Sequence, residues 1–263
     1  MKRYVSFLDI LGFKSLTNDT PLHEVTRRLG YAIESARYAE CLGGIKEIDG
    51  VAHPDESLKA VHRFSFSDSF VLATNDTSRD SLNSIIVSTC LLAQGLFAMQ
   101  LPVRGAIVEG EADFVPGTDH LIGKGVVEAI ELEAQQDWFG IMLDPALGSY
   151  ENVQGMLHPG VVPMVVRYPI PLKANTQAEG IAINWRLNIT AELGTGSFFR
   201  PTADEAQQRK LNHTLAFAKH VRDSGQAYTP LEYAHPWPRP VYLPATPVPD
   251  PPTTLELRHG DEL

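Results

Sequence analysis

The sequence predicts an α/β sandwich in which helices pack on a largely antiparallel sheet. Three observations predict it. Strand-like apolar runs and helix-like periodicities alternate as β-α-β-β-α-β-α-β over residues 4–143. Two adjoining strand-like runs flank Ser67-Asp68-Ser69, which reads as a hairpin tip and so as an antiparallel pair. A content of 43% hydrophobic residues in 263 is enough to bury a substantial core.

Residues 4–9 read as the first strand, followed by a turn at Gly12-Phe13. Pro21 opens a helix to about residue 40, with Leu22, Val25, Leu29, Ile33 and Ala36 at helical spacing. Gly43-Gly44 ends it, and the polar residues 43–58 read as a loop or a small excursion. The two hairpin arms span Ala60 to Ala73, with Phe64 and Phe66 sharing one face. A helix over 79–98 presents Leu82, Ile85, Ile86, Leu92, Leu96 and Phe97 as its core face. A strand from Val103 to Glu111 follows, then a loop over 112–120, a helix over roughly 126–137 and a strand from Trp138 to Leu143. Beyond residue 143, two strands are expected over Val161–Ile170 and Gly180–Leu187, and a helix from Thr202 to about 224. The dense prolines after Pro230 exclude central sheet and helix interior. The division expected is one domain over 1–225, with its core at 4–143 and an extension over 144–225, and a Pro-rich extended tail over 226–263.

The formal net charge of −10 weighs against a nucleic-acid or anionic-membrane binder. The two cysteines, Cys41 and Cys90, form neither a disulfide framework nor a zinc motif, and are expected as buried thiols. No signal peptide and no membrane-spanning run is read, so a cytoplasmic protein without membrane insertion is expected.

The informative acid is Asp9, at the exit of an apolar strand. A carboxylate there is costly to desolvate without a partner. In a β-α-β-β arrangement the exit of the first strand and the hairpin tip can meet, which would bring Asp9 to Asp68. Two converging carboxylates are what two-metal phosphoryl or nucleotidyl transfer requires. The Ile10–Phe13 turn would add a backbone carbonyl for metal and N–H groups for phosphate.

These residues carry a resemblance. Phe7-Leu8-Asp9-Ile10-Leu11-Gly12-Phe13, then Phe66-Ser67-Asp68-Ser69-Phe70, then Val103-Arg104-Gly105-Ala106-Ile107 resemble the class III nucleotide cyclase homology domain. The first and third segments are more narrowly similar to the pyrimidine cyclases of bacterial Pycsar anti-phage systems. The resemblance implies a ferredoxin-like βαββαβ core and a homodimer with active sites at the interface. It implies two Mn²⁺ or Mg²⁺ ions held by Asp9, Asp68 and the backbone carbonyl of Ile10. It implies cyclisation of a nucleoside triphosphate, UTP being favoured over CTP, with the product acting on a cyclic-nucleotide-responsive effector. The alternatives are a cytidylate cyclase, a purine cyclase, and a catalytically inactive cyclase-fold protein used for regulation or binding.

The sequence departs from mammalian-type adenylyl cyclases at the base and transition-state positions. Phe64 and, approximately, His120 stand where that subclass reads adenine, and Val127 and Glu131 stand at about the places of its Asn and Arg. Arg104, Lys124, Arg63 and Lys14 are the candidate replacement cations. Arg104 is assigned to catalysis. Substrate binding is assigned to Ile10, Leu11, Gly12, Phe13, Arg63, Phe64 and Lys124. Glu128, Glu131 and Glu133 are expected on a solvated helix face.

Overall fold

A computed structural model describes residues 1–42, 44–115, 118, 120–157, 164–185 and 204–224. The expected Pro-rich tail, Gly43, and the outer parts of the expected Val161–Ile170, Gly180–Leu187 and Thr202–224 elements lie outside these residues.

The first strand, β1 (Lys2–Ile10), lies inside a seven-stranded sheet. A short helix α1 (Phe13–Asp19) and a long one, α2 (Leu22–Glu40), follow it. The expected turn at Gly12-Phe13 is therefore the start of a helix, one that ends before Pro21. Residues 43–58 do form a small excursion, a hairpin of β2 (Ile45–Ile48) and β3 (Val51–Pro54). Next come β4 (Val61–Phe66), β5 (Ser69–Thr74), α3 (Arg79–Ala98) and β6 (Val103–Glu111). The 112–120 loop holds β7 (Asp113–Phe114), which pairs with β8 (Leu121–Ile122). The chain continues through α4 (Lys124–Ala134), β9 (Ile141–Leu143), α5 (Glu151–Met156), β10 (Val165–Leu172), β11 (Thr176–Ile183) and α6 (Glu205–Asp223).

The sheet runs β10-β11-β9-β6-β1-β5-β4. The stretch β6-β1-β5-β4 is antiparallel throughout and has the strand order of a ferredoxin-like βαββαβ unit. Among the described strands only β6 and β9 run parallel, joined by the crossover that contains α4. Pro169 and Pro171 fall in β10, at the edge of the sheet, where a missing N–H breaks no inner ladder.

Side chains alternate across β1. Tyr4, Leu8 and Ile10 enter the main core with Leu82, Ile85, Ile86 and Phe97 of α3. α2 packs on α3 from outside. Val5 points the other way and joins Val108 and Ala129 under α4. Asp9 shares that second face, because it lies an even number of residues from Val5. α3 is the one helix among the described residues long and apolar enough to cross a membrane. Burial between α2 and the sheet explains its composition: 14 of its 20 residues are buried.

Two expected boundaries move at the C-terminal end of α4. The helix stops at Ala134 rather than 137, and the strand begins at Ile141 rather than Trp138. Residues 136–140 form a hydrogen-bonded corner instead. The Gln136 side chain donates to Gly105 O (2.8 Å) and accepts from Trp138 Nε1 (2.8 Å), and Gly105 N donates to Gly140 O (3.0 Å).

Gly105 permits a close approach of β6 to β1. A Cβ there would collide with Phe7 O and come within 3.2 Å of Leu8 Cγ. Gly105→Ala is expected to destabilise the protein by about 1–3 kcal/mol through overpacking, read as a lower urea midpoint.

Candidate active site

Asp9 is the next-to-last residue of β1, and it faces Ser69 of β5 on one side and Arg104 of β6 on the other. The hairpin between β4 and β5 turns through Ser67 and Asp68, with Ser67 in the left-handed region at φ 55°. The tip is stitched to β1: Ile10 N donates to Asp68 O at 2.8 Å. Asp9 and Asp68, 59 positions apart in the sequence, thus occupy adjacent places at one end of the sheet.

Their carboxylates have few protein partners. Ser69 Oγ donates to Asp9 Oδ1 at 3.2 Å. The Asp68 carboxylate has no hydrogen bond or ion pair among the described residues. Burial pushes the Asp9 carboxyl above the usual carboxylate range, and the charges of Asp68 and Glu133 push it further; the Ser69 hydrogen bond and Arg104 act against them. Mutual repulsion between half-buried acids is what a bound cation relieves.

The turn after β1 supplies donors, though not all the expected ones. The N–H of Ile10 is taken by Asp68 O and that of Leu11 by Pro102 O. The open donors among the described residues are those of Gly12 and the first turn of α1, Phe13 to Ser15, as expected at a helix start. Gly12 caps that helix at φ 77° in the left-handed region, with nothing within 4 Å of its missing Cβ, so glycine serves conformation here. Behind the turn, Ile10, Leu11, Gly12, Leu16, Leu101 and Pro102 line a concavity of about 280 Å³.

The four candidate cations are placed very differently. Arg104 is buried and paired with Glu133, and its Nη1 donates to Gln136 O at 3.0 Å. Arg63 is on the opposite face of the sheet from Asp9: it pairs with Glu40 of α2 at 3.0 Å and donates to Ile33 O at 3.1 Å. The structure therefore does not bring Arg63 to the acids. Lys14 and Lys124 are exposed, in α1 and at the start of α4.

Phe64 lies on the Asp9 face, half-buried, with its ring 5.9 Å from that of Phe114. Two residues were not assigned by sequence reasoning. Phe66 is 85% exposed at the hairpin tip, opposite Ser69 and on the same face as Asp9. Its alternation with Phe64 was visible in the sequence, whereas its exposure depends on what fails to cover it. Glu133, expected on a solvated face, is 5% exposed and is the ion-pair partner of Arg104. Its spacing from Ala129, four residues earlier and also buried, was the available signal. Val127 and Glu131 are exposed, as expected of a surface helix but away from any role in holding Arg104.

No family model and no curated protein matches the chain. Among solved structures, a bacterial light-regulated adenylyl cyclase superposes at a TM-score of 0.41 and 12% identity. The match covers 86% of this chain and 57% of that one, so the chain spans little more than half of its length.

Proposed function

We propose that this protein is a pyrimidine nucleotide cyclase that converts UTP to 3′,5′-cyclic UMP and pyrophosphate, in the cytoplasm, as a second-messenger synthase of anti-phage defence. The observation that carries the nucleotide-cyclase reading is the junction of Asp9 and Asp68 through the Ile10 N to Asp68 O bond. The pyrimidine and anti-phage parts rest on the sequence resemblance alone.

Hard carboxylate oxygens suit Mg²⁺ or Mn²⁺, and burial together with the neighbouring Asp68 charge raises the Asp9 carboxyl. Asp9, Asp68 and the carbonyl of Ile10 would hold two such ions. When bound, they would activate the attacking oxygen and neutralise the triphosphate. The 3′-oxygen of the substrate forms a bond to the α-phosphorus, the bond from that phosphorus to the β-phosphate bridge breaks, pyrophosphate leaves, and the hydroxyl proton passes to water. No protein nucleophile is required. The chain's own part is positioning: the N–H groups of Gly12 to Ser15 take phosphate oxygens, and Phe64 and Phe66 offer aromatic surface to the base.

A second copy of the chain completes the site in this reading. Phe66, Ile122 (61% exposed) and Val127 (54% exposed) offer it apolar contact from the hairpin tip, β8 and α4. Sedimentation should report a dimer.

The deciding assay incubates the purified protein with each of the four nucleoside triphosphates and Mn²⁺, and resolves cyclic product and pyrophosphate. Cyclic UMP is the expected product. Cyclic CMP would move the assignment to CTP, cyclic AMP alone would overturn the pyrimidine reading, and no product from any substrate would overturn the enzyme reading.

A further inference from the structure

Arg104 has a carboxylate directly opposite it, yet pairs with a different one. Asp9 and Arg104 face each other in the register of β1 and β6. Facing residues project to the same side of a sheet with Cβ atoms about 5 Å apart. That span is short for an arginine seeking an aspartate. Instead, Arg104 Nε donates to Glu133 of α4, and Arg104 Nη1 donates to Gln136 O at 3.0 Å. Asp9 is left with the hydrogen bond from Ser69 at 3.2 Å, and has no ion pair among the described residues. The other charged groups in range are Asp68 beside Asp9 and Lys210 beside Arg104.

This choice of partner works against two physical costs. Glu133 is 5% exposed, and burying a second carboxylate carries a desolvation penalty. Pairing Arg104 with Asp9, already half-buried opposite it, would have added none. Glu133 is also the next-to-last residue of α4, where the helix dipole disfavours negative charge. Holding α4 against β6 does not require it, because the Gln136 bonds to Arg104 and to Gly105 O already tie the end of the helix to the strand. What Glu133 adds is a guanidinium whose charge is met on the side away from Asp9.

We propose that Glu133 is a positioning residue of the candidate active site: by holding the Arg104 guanidinium it keeps the Asp9 carboxylate free to take a divalent cation, and without it Arg104 turns to Asp9 and occupies that carboxylate. The role rests on the reading of Asp9 as a cation ligand, but not on which nucleotide is cyclised. Glu133 itself touches neither substrate nor ion. It acts through Arg104, as the partners behind metal ligands commonly do.

The test has two readouts on the full-length protein. Calorimetric titration with Mn²⁺ should show Glu133→Gln binding roughly tenfold to a hundredfold more weakly than wild type, and Arg104→Met added to Glu133→Gln should restore most of that affinity. Thermal melting without metal gives the second readout, as a change of sign. Asp9→Asn should raise the melting temperature in the wild-type background, where Asp9 has no ion-pair partner. It should lower the melting temperature in the Glu133→Gln background, where Asp9 has become the partner of Arg104. A purely structural role for Glu133 would leave the sign unchanged, so a rise in both backgrounds would overturn the proposal. Should Glu133→Gln fold poorly, the Arg104→Met, Glu133→Leu double variant decides: Mn²⁺ affinity within about threefold of wild type supports the proposal, and its loss in a folded double variant overturns it. Failure of the wild type to bind Mn²⁺ would overturn the cation reading and this role with it. Glu133-dependent Mn²⁺ binding in a protein that forms no cyclic nucleotide would support the role and overturn the cyclase reading alone.

Discussion

Replacing Asp9 or Asp68 with Ala is expected to reduce cyclic-nucleotide formation by about a thousandfold or more, because each removes a ligand from ions that would carry most of the charge stabilisation. The fold should survive, since neither side chain fills the core. Asp9→Asn adds a second outcome of opposite sign. Folding raises the pKa of this carboxyl. Such a group contributes stability when protonated, at low pH, and that contribution disappears as pH rises through the folded-state value. Wherever Asp9 is ionised it is therefore a burden on the metal-free protein. Asp9→Asn should melt at a higher temperature than wild type without metal, and added Mn²⁺ should stabilise wild type but not the variant. A lower melting temperature in Asp9→Asn, or turnover near the wild-type level, would contradict the assignment.

Breaking the Arg104–Glu133 pair is expected to have the largest effect on stability. Both side chains are buried, at 7% and 5% exposure. Glu133→Ala leaves the guanidinium without its carboxylate in the interior, at a cost of about 3–5 kcal/mol. Gln136 O remains as an acceptor, and that limits the loss rather than cancelling it. The double variant Arg104→Met with Glu133→Leu removes both charges and should recover most of the loss. Urea unfolding of the two single variants and the double gives the coupling directly. Additive losses would show that the pair is not a unit.

Much of the architecture was legible because its signals are local. β1, β6 and α3 fall within about two residues of where periodicity put them, and the hairpin at Ser67-Asp68 turns where turn chemistry put it. The partnership of Asp9 and Asp68 followed from element order, since a strand exit and a hairpin tip meet only in certain sheets. The misses are long-range. Helix spacing puts Glu133 on the face of Ala129, but that its partner is Arg104 of another element is not written in the helix. Residues 138–140 read as strand because Trp138, Phe139 and Ile141 are apolar, and only the Gln136 bonds to Gly105 and Trp138 show why the backbone turns. Arg63 reads as a neighbour of Phe64, whereas alternation sends it to the far face, to Glu40.

The position of β1 also constrains when a nascent chain can assemble this site. β1 leaves the ribosome before its sheet neighbours, β5 and β6. Ser69 follows Asp9 by 60 residues, and Arg104 comes later still. Pairings of such sequence separation form slowly, because the intervening loop must close before any contact rewards it. Until β6 arrives, β1 exposes an unpaired apolar edge and is a target for misassociation. Fragments that stop before Val103 should therefore aggregate, and acquisition of metal affinity should mark a late step of folding.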